Sequence, residues 1–159
     1  MPFPEQTSLE PPETAAELRT YGFGMIPFDG KFTRFRGCMR YDASTRGIGE
    51  VILQISAASL AMSNELVRDF ILGPEMMDVA RFPDLAFRGT GWGKEVVGAL
   101  SMHGETHRLA MGYTRSAGTV TVTGRLRRED WGIMGGQLIG GSIIRIRVAL
   151  PDPFHERPS

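Results

Sequence analysis

Residues 119–124 read Thr-Val-Thr-Val-Thr-Gly, and this strict alternation constrains the fold more than any other feature of the chain. A repeat of two puts the valines on one face of an extended strand and the threonines on the other, which 3.6 residues per helical turn cannot do. Threonine suits the solvated side of a pleat, since its branched Cβ is at ease in the β region. The same period runs through Phe35, Gly37, Met39 and Tyr41, set against Arg34, Arg36 and Arg40 within a strand expected over 31–42. It returns in Val51, Leu53 and Ile55, which alternate with Glu50, Gln54 and Ser56 and are interrupted by Ile52. Leu85 and Phe87 open another strand. Val96, Gly98, Leu100 and Met102 form the next inward row, then Leu109, Met111 and Tyr113. Ser142, Ile144, Ile146 and Val148 are expected inward against Arg145 and Arg147 outward. A weaker first strand over 15–24 offers Leu18, Tyr21 and Phe23. Turn signals punctuate these runs at Asp29-Gly30, 44–47, Gly91-Trp92-Gly93, His103-Gly104 and Ser116-Ala117-Gly118. Roughly eight antiparallel strands with hairpin links make an all-β barrel or sandwich.

One stretch breaks the alternation. From Asn64 to Phe87, Leu66, Val67, Phe70 and Ile71 recur at helical spacing. Asn64 is placed to cap the helix, and Glu65 sits in the first turn, where the dipole favours negative charge. Gly73-Pro74 stops it, the glycine being expected in a left-handed cap. A second short helix is expected from Pro74, with Met76, Met77 and Val79 as its apolar side. A helical plug among strands implies a lid over a cavity.

The chain has 159 residues, enough for one domain with a sizeable core, here expected over 15–150. Residues 1–14 and 151–159, rich in proline and charge, read as flexible tails. A formal net charge of +0 supplies no global field for nucleic acid or an anionic membrane. No run nears the ~20 apolar residues of a membrane-spanning helix. The first residues carry neither a basic segment nor an apolar core, so they form no signal peptide. If Met1 is the native start, the expected compartment is the cytoplasm. Cys38 is single, so no internal disulfide forms. A homodimer is compatible with the sequence.

The inward rows are rich in Met, Phe, Leu and Ile and broken by Gly37, Gly98 and Gly124, which are expected to leave space along the axis. About eight strands is the size at which a barrel encloses one small ligand. Signals for catalysis are weak. His103 and His107 bracket Glu105, yet on a hairpin turn this spacing does not aim both imidazoles at one metal, so both read as surface residues and no metal is expected. Cys38 has no evident activating base. Gly89, Gly91 and Gly93, and the pair Gly135-Gly136, resemble phosphate loops in composition only, because no helix follows them. Asp69, Asp78 and Asp130 read as ion-pair partners of Arg68, Arg81 and Arg128 rather than acid–base groups. No catalytic residue and no cofactor is assigned.

Four motifs in order resemble the YceI-like family: FDGKFTRFRGCMRYD, PEMMDVARFPDLAF preceded by Val67-Arg68-Asp69, GALSMHGETHRL and REDWGI. The resemblance covers about Tyr21 to Leu150. It implies a lipocalin-like antiparallel barrel holding an isoprenoid, quinone-like or other amphiphilic lipid in its pore, in a family mostly exported to the bacterial periplasm. Met76 and Met77 stand where the family has phenylalanines, Phe70-Ile71 where it has His-Leu, and Phe82 where it has tyrosine. The expected ligand-binding residues are Phe35, Met39, Leu53, Ile55, Leu66, Phe70, Met76, Met77, Phe82, Phe87, Leu100, Met102, Met111, Tyr113, Val122, Trp131, Ile144 and Ile146. Arg68 and Arg128 are the candidates for an anionic head group, since guanidinium matches phosphate geometry. The expected function is carriage or sequestration of this lipid without catalysis. The alternatives are a small hydrolase or isomerase using the same cavity, and an interaction domain that pairs through its strand edges.

Overall fold

Eleven strands hydrogen-bond into one antiparallel sheet in a computed structural model that describes residues 6–23, 25–135 and 140–154. Strands β1 (Gln6–Leu9), β2 (Ala15–Gly22), β3 (Ile26–Phe32) and β4 (Phe35–Tyr41) come first, then β5 (Ile48–Ser56) and the short β6 (Leu60–Met62). Helix α1 (Glu65–Leu72) separates these from β7 (Asp84–Trp92), β8 (Glu95–Met102), β9 (Glu105–Ser116), β10 (Thr119–Arg127) and β11 (Gly140–Pro151). The order across the sheet is β1-β4-β5-β7-β8-β9-β10-β11-β2-β3-β6. Because β11 pairs with β2, the last strand lies against one of the first, and the sheet curls into a half-barrel. The all-β class is as the alternation dictates; the strand count is eleven rather than eight.

The extra strands have local causes. Residues 6–9, expected as tail, form β1 and pair with β4 from Gln6 opposite Arg40 to Leu9 opposite Gly37, with Leu9 fully buried. Asp29-Gly30 is no turn. Asp29 stands in β3 opposite Arg19, whose Nε donates to its carboxylate at 2.6 Å, and Gly30 lies against Leu60. What looked like one strand over 31–42 is therefore the end of β3 and the whole of β4. In β2 the buried row is Ala16, Leu18, Thr20 and Gly22, so Tyr21 falls on the other face and Phe23 is exposed. Gly24, the first five and last five residues, and Gly136 lie outside the described residues. At the other end Phe154 meets Tyr41 edge-to-face at 5.3 Å and Arg115 pairs with Asp152 at 3.2 Å, so 152–154 are anchored rather than loose.

The hairpins follow turn chemistry. His103-Gly104 and Ala117-Gly118 each have positive φ at both residues, 56° and 75°, then 51° and 83°, the type I′ geometry that matches strand twist. In α1 the Asn64 side chain accepts from the Val67 N–H at 3.0 Å, the expected cap. Gly73, expected left-handed, is instead extended at φ −79° and ψ 178°. No second helix follows. Residues 73–78 wind into a tight turn in which Met77 N–H reaches Ile71 O at 2.9 Å and Asp78 N–H reaches Gly73 O at 2.8 Å. Asp78 takes φ 49°, which a short polar side chain tolerates. Among the described residues no helix is long and apolar enough to cross a membrane.

Candidate functional site

The inner face of the curled sheet gathers the apolar rows around a cavity of about 100 Å³. Every strand except β6 contributes to its lining. Of the expected residues, Met39 comes from β4, Leu53 and Ile55 from β5, and Phe87 from β7. Leu100 and Met102 come from β8, Met111 from β9, Val122 from β10, and Ile144 and Ile146 from β11. Met77 is the one lining side chain from the segment between β6 and β7, so the expected lid reduces at the cavity to a single thioether. Among the described residues Glu17 is the one ionisable lining residue, and its carboxylate accepts from Arg147 at 2.7 Å on the outer side.

Seven expected residues do not line this cavity. Leu66 points to solvent at 84% exposure, because Ile71 and Leu72 rather than Leu66 form the buried side of α1. Met76 is buried and Phe70 half-buried, both packed against the core rather than open to the space. Phe35 is buried, while Phe82 lies half-buried against His103, ring centroids 4.9 Å apart. Trp131 is buried behind β8, its Nε1–H donating to Leu100 O at 2.9 Å. Tyr113 ties the opposite end together, donating to Gly93 O at 2.7 Å and accepting from Ile48 N–H at 3.2 Å.

Two glycine positions have a different cause from the one expected. A Cβ at Gly37 would strike the Ile52 carbonyl, and one at Gly98 would strike the Arg88 carbonyl, so both exist for close backbone approach rather than to widen the pore. Gly124 does border side chains of the row, Met111 and Ile146. Sequence reasoning left Leu9, Phe32 and Leu126 out of every inward row, yet all three line the cavity. Leu126 continues the period of Val120, Val122 and Gly124, a signal that was available; Leu9 had none, since its burial depends on pairing with β4. Ser142, expected inward, is exposed, because the register of β11 against β2 shifts between Gly140 and Ile144.

The two arginine candidates are engaged within the protein. Arg68 donates from Nε to Leu60 O at 2.6 Å and from Nη2 to Ala58 O at 2.9 Å, and it pairs with Asp69 at 3.2 Å. Arg128 is buried at 1% exposure and donates to the carbonyls of Gly141, Ile133 and Gly135 at 2.9, 2.9 and 2.6 Å. Its ion pair is with Glu129 at 3.4 Å rather than with Asp130. Asp78 and Arg81 pair at 3.6 Å. His103 Nδ1 lies 3.2 Å from Trp131 O, and His107 Nε2 lies 2.9 Å from Glu105 Oε1, so each imidazole has a partner of its own. Cys38 is half-buried and free. Away from the cavity, burial and the nearby Asp152 carboxylate push the Tyr41 phenol up to about 12, and its buried hydroxyl meets no partner among the described residues.

A family model for the YceI-like domain matches residues 8–150. The chain belongs to the YceI-like family. The solved structures it resembles include BcnA of Burkholderia cenocepacia, at TM-score 0.68 and 18% identity over 86% of this chain and 94% of that one. A polyisoprenoid-binding domain from Saccharophagus degradans, implicated in plant cell wall breakdown, matches at TM-score 0.63 and 12% identity over 95% and 100%. The YCEI protein of Campylobacter jejuni matches at TM-score 0.57 and 16% identity over 65% and 70%. Identities this low establish a shared fold. Among curated proteins none matches this YceI-like sequence.

Proposed function

We propose that this YceI-like protein binds the apolar tail of an amphiphile, an isoprenoid or quinone-like lipid, inside the half-barrel and carries or sequesters it without chemical change. The observation that carries the reading is the cavity itself: inward apolar rows from ten strands, with no charged or hydrogen-bonding group of the described residues turned into it. Such a site offers nothing to transfer a proton or stabilise a developing charge, whereas burying each tail methylene gains ~0.8 kcal/mol. The polyisoprenoid-binding domain that shares the fold lends support. A volume of about 100 Å³ is below the ~300–1,000 Å³ of pockets that hold drug-sized ligands, so a long tail enters only as the cavity widens. Met39, Met77, Met102 and Met111 are suited to that, because unbranched thioethers change rotamer readily.

The test is competition binding among polyprenyl quinone, polyprenyl phosphate and fatty acid, each with short-chain homologues, on protein purified without detergent. Affinity should rise with tail length and then level off, with little dependence on the head. Affinity that tracked head-group charge and ignored tail length would sink the proposal. Native mass spectrometry of the same preparation identifies any lipid carried through purification.

A further inference from the structure

Six large apolar side chains are exposed in the described residues, and five of them belong to one end of the half-barrel. Phe23, Met25 and Ile26 form the tip of the β2–β3 hairpin, where Gly22 pairs with Ile26, and are 62%, 84% and 51% exposed. The start of β11 lies against this tip, with Gly140 opposite Gly22. The Arg128 guanidinium then bridges Gly141 O to Ile133 O and Gly135 O, which places the exposed Met134 on the same end. Gly135 in turn packs on Glu75, in the turn after α1. The pairing of Met62 with Gly30 sends the chain toward the Ile26 end of β3 as it enters α1, which carries the exposed Leu66. Met77, in the same turn as Glu75, lines the cavity.

Two further features set this end apart. Phe23 holds φ 48°, a conformation disfavoured for an aromatic residue, while most of its ring is in water. Behind the tip, on the outer face, Arg125 of β10 stands opposite Arg145 of β11, which stands opposite Arg19 of β2. Like charges directly across a sheet are unfavourable. Arg19 is matched by Asp29 at 2.6 Å, but among the described residues neither Arg125 nor Arg145 has a carboxylate at ion-pair distance. The row lies three residues from the Gly22–Ile26 pair, roughly 10 Å at strand rise. In a chain of zero net charge this is a local cationic band behind an apolar tip.

We propose that this end docks on the surface of an anionic lipid bilayer. Phe23, Met25, Ile26, Leu66 and Met134 enter the headgroup–acyl boundary, typically ~5–10 Å deep for interfacial elements, and Arg125 and Arg145 meet lipid phosphates at the level of the heads. Docking brings the turn that carries Met77 to the membrane. The inference stands on the exposed side chains and the arginine row, not on what occupies the cavity.

The test is flotation of the full chain with vesicles of phosphatidylcholine, alone or mixed with phosphatidylglycerol, all free of isoprenoids. The protein should float with the mixed vesicles and much less with phosphatidylcholine alone. Met25→Asp should lower partitioning about tenfold through the loss of one buried apolar side chain. Phe23→Asn should act likewise, and asparagine suits the positive φ, so the fold is retained. Arg145→Glu should lower it more than the about fivefold expected for a single lost positive charge, since it also adds a repelling one. Trp92→Asp, at the opposite end of the barrel, should change nothing. Unchanged melting temperature and circular dichroism would show each variant folded. The proposal fails if the unmodified protein does not float with anionic vesicles, or if Trp92→Asp weakens binding as much as Met25→Asp. It also fails if sedimentation equilibrium shows Met25→Asp splitting a dimer while vesicle binding stays unchanged, because the patch would then be a contact between two copies.

Discussion

We predict that replacing Arg128 with methionine costs about 3–5 kcal/mol of folding stability, the range for breaking a buried charge pair by removing one partner. The magnitude follows from where the guanidinium sits. It is 1% exposed, donates to the carbonyls of Ile133, Gly135 and Gly141, and faces Glu129 at 3.4 Å. Methionine keeps most of the buried stem, so little of the loss comes from packing. What disappears is the set of charge-assisted hydrogen bonds, which share one guanidinium and so do not add singly, while Glu129 keeps its charge with less to balance it. For a chain of this size each kcal/mol moves the melting temperature by about 2–4 °C, so a fall of roughly 10 °C is expected. Urea titration should show a lower midpoint with an unchanged slope. Ligand binding measured well below the new melting temperature should persist. A variant as stable as the original that no longer binds lipid would refute the reasoning and return Arg128 to a head-group role.

Tyr41 supplies a pH dependence. Its phenol is raised from 10.0 to about 12, so the folded chain holds the proton more tightly than the unfolded one. The stabilisation is complete below pH 10 and is lost as the pH rises through 12, by at most about 2.8 kcal/mol, two units at ~1.4 kcal/mol each. Tyr41→Phe should flatten this alkaline decline in urea titrations and add ~1 kcal/mol at neutral pH by removing a hydroxyl with no partner among the described residues; an unaltered alkaline limb would count against it. Gly37→Ala should destabilise by ~1–3 kcal/mol or more, because the new Cβ meets backbone of β5, which cannot turn aside. Gly112→Ala, whose Cβ would meet nothing nearer than the Lys94 carbonyl at 3.9 Å, is the control and should be close to neutral in the same thermal melts.

By itself the sequence determined the class of fold, the inward rows of β5, β8, β9 and most of β10, the cap on α1 and the positions of the turns at His103-Gly104 and Ala117-Gly118. Each depends on neighbours close in the chain: a period of two, a side chain reaching three residues on, a glycine admitting positive φ. The family was legible for the same reason, through motifs that are short and ordered. Tertiary structure decided the rest. Leu9 looks like part of a polar tail until β4 offers it hydrogen bonds and a core. Asp29-Gly30 has the composition of a turn, but Arg19 and Leu60, distant in sequence, hold it in a strand. Leu66 and Phe70 share a helical stripe with Val67 and Ile71, and only the turn that folds back through Met77 to Ile71 fixes which side is buried. Gly37 and Gly98 carry no mark that separates a widened pore from a close backbone approach. Arg128 shows no sign in its own motif that three carbonyls would surround it. The size of the cavity belongs to this second group, because volume is what remains after side chains from ten strands have packed, and no local pattern encodes a remainder.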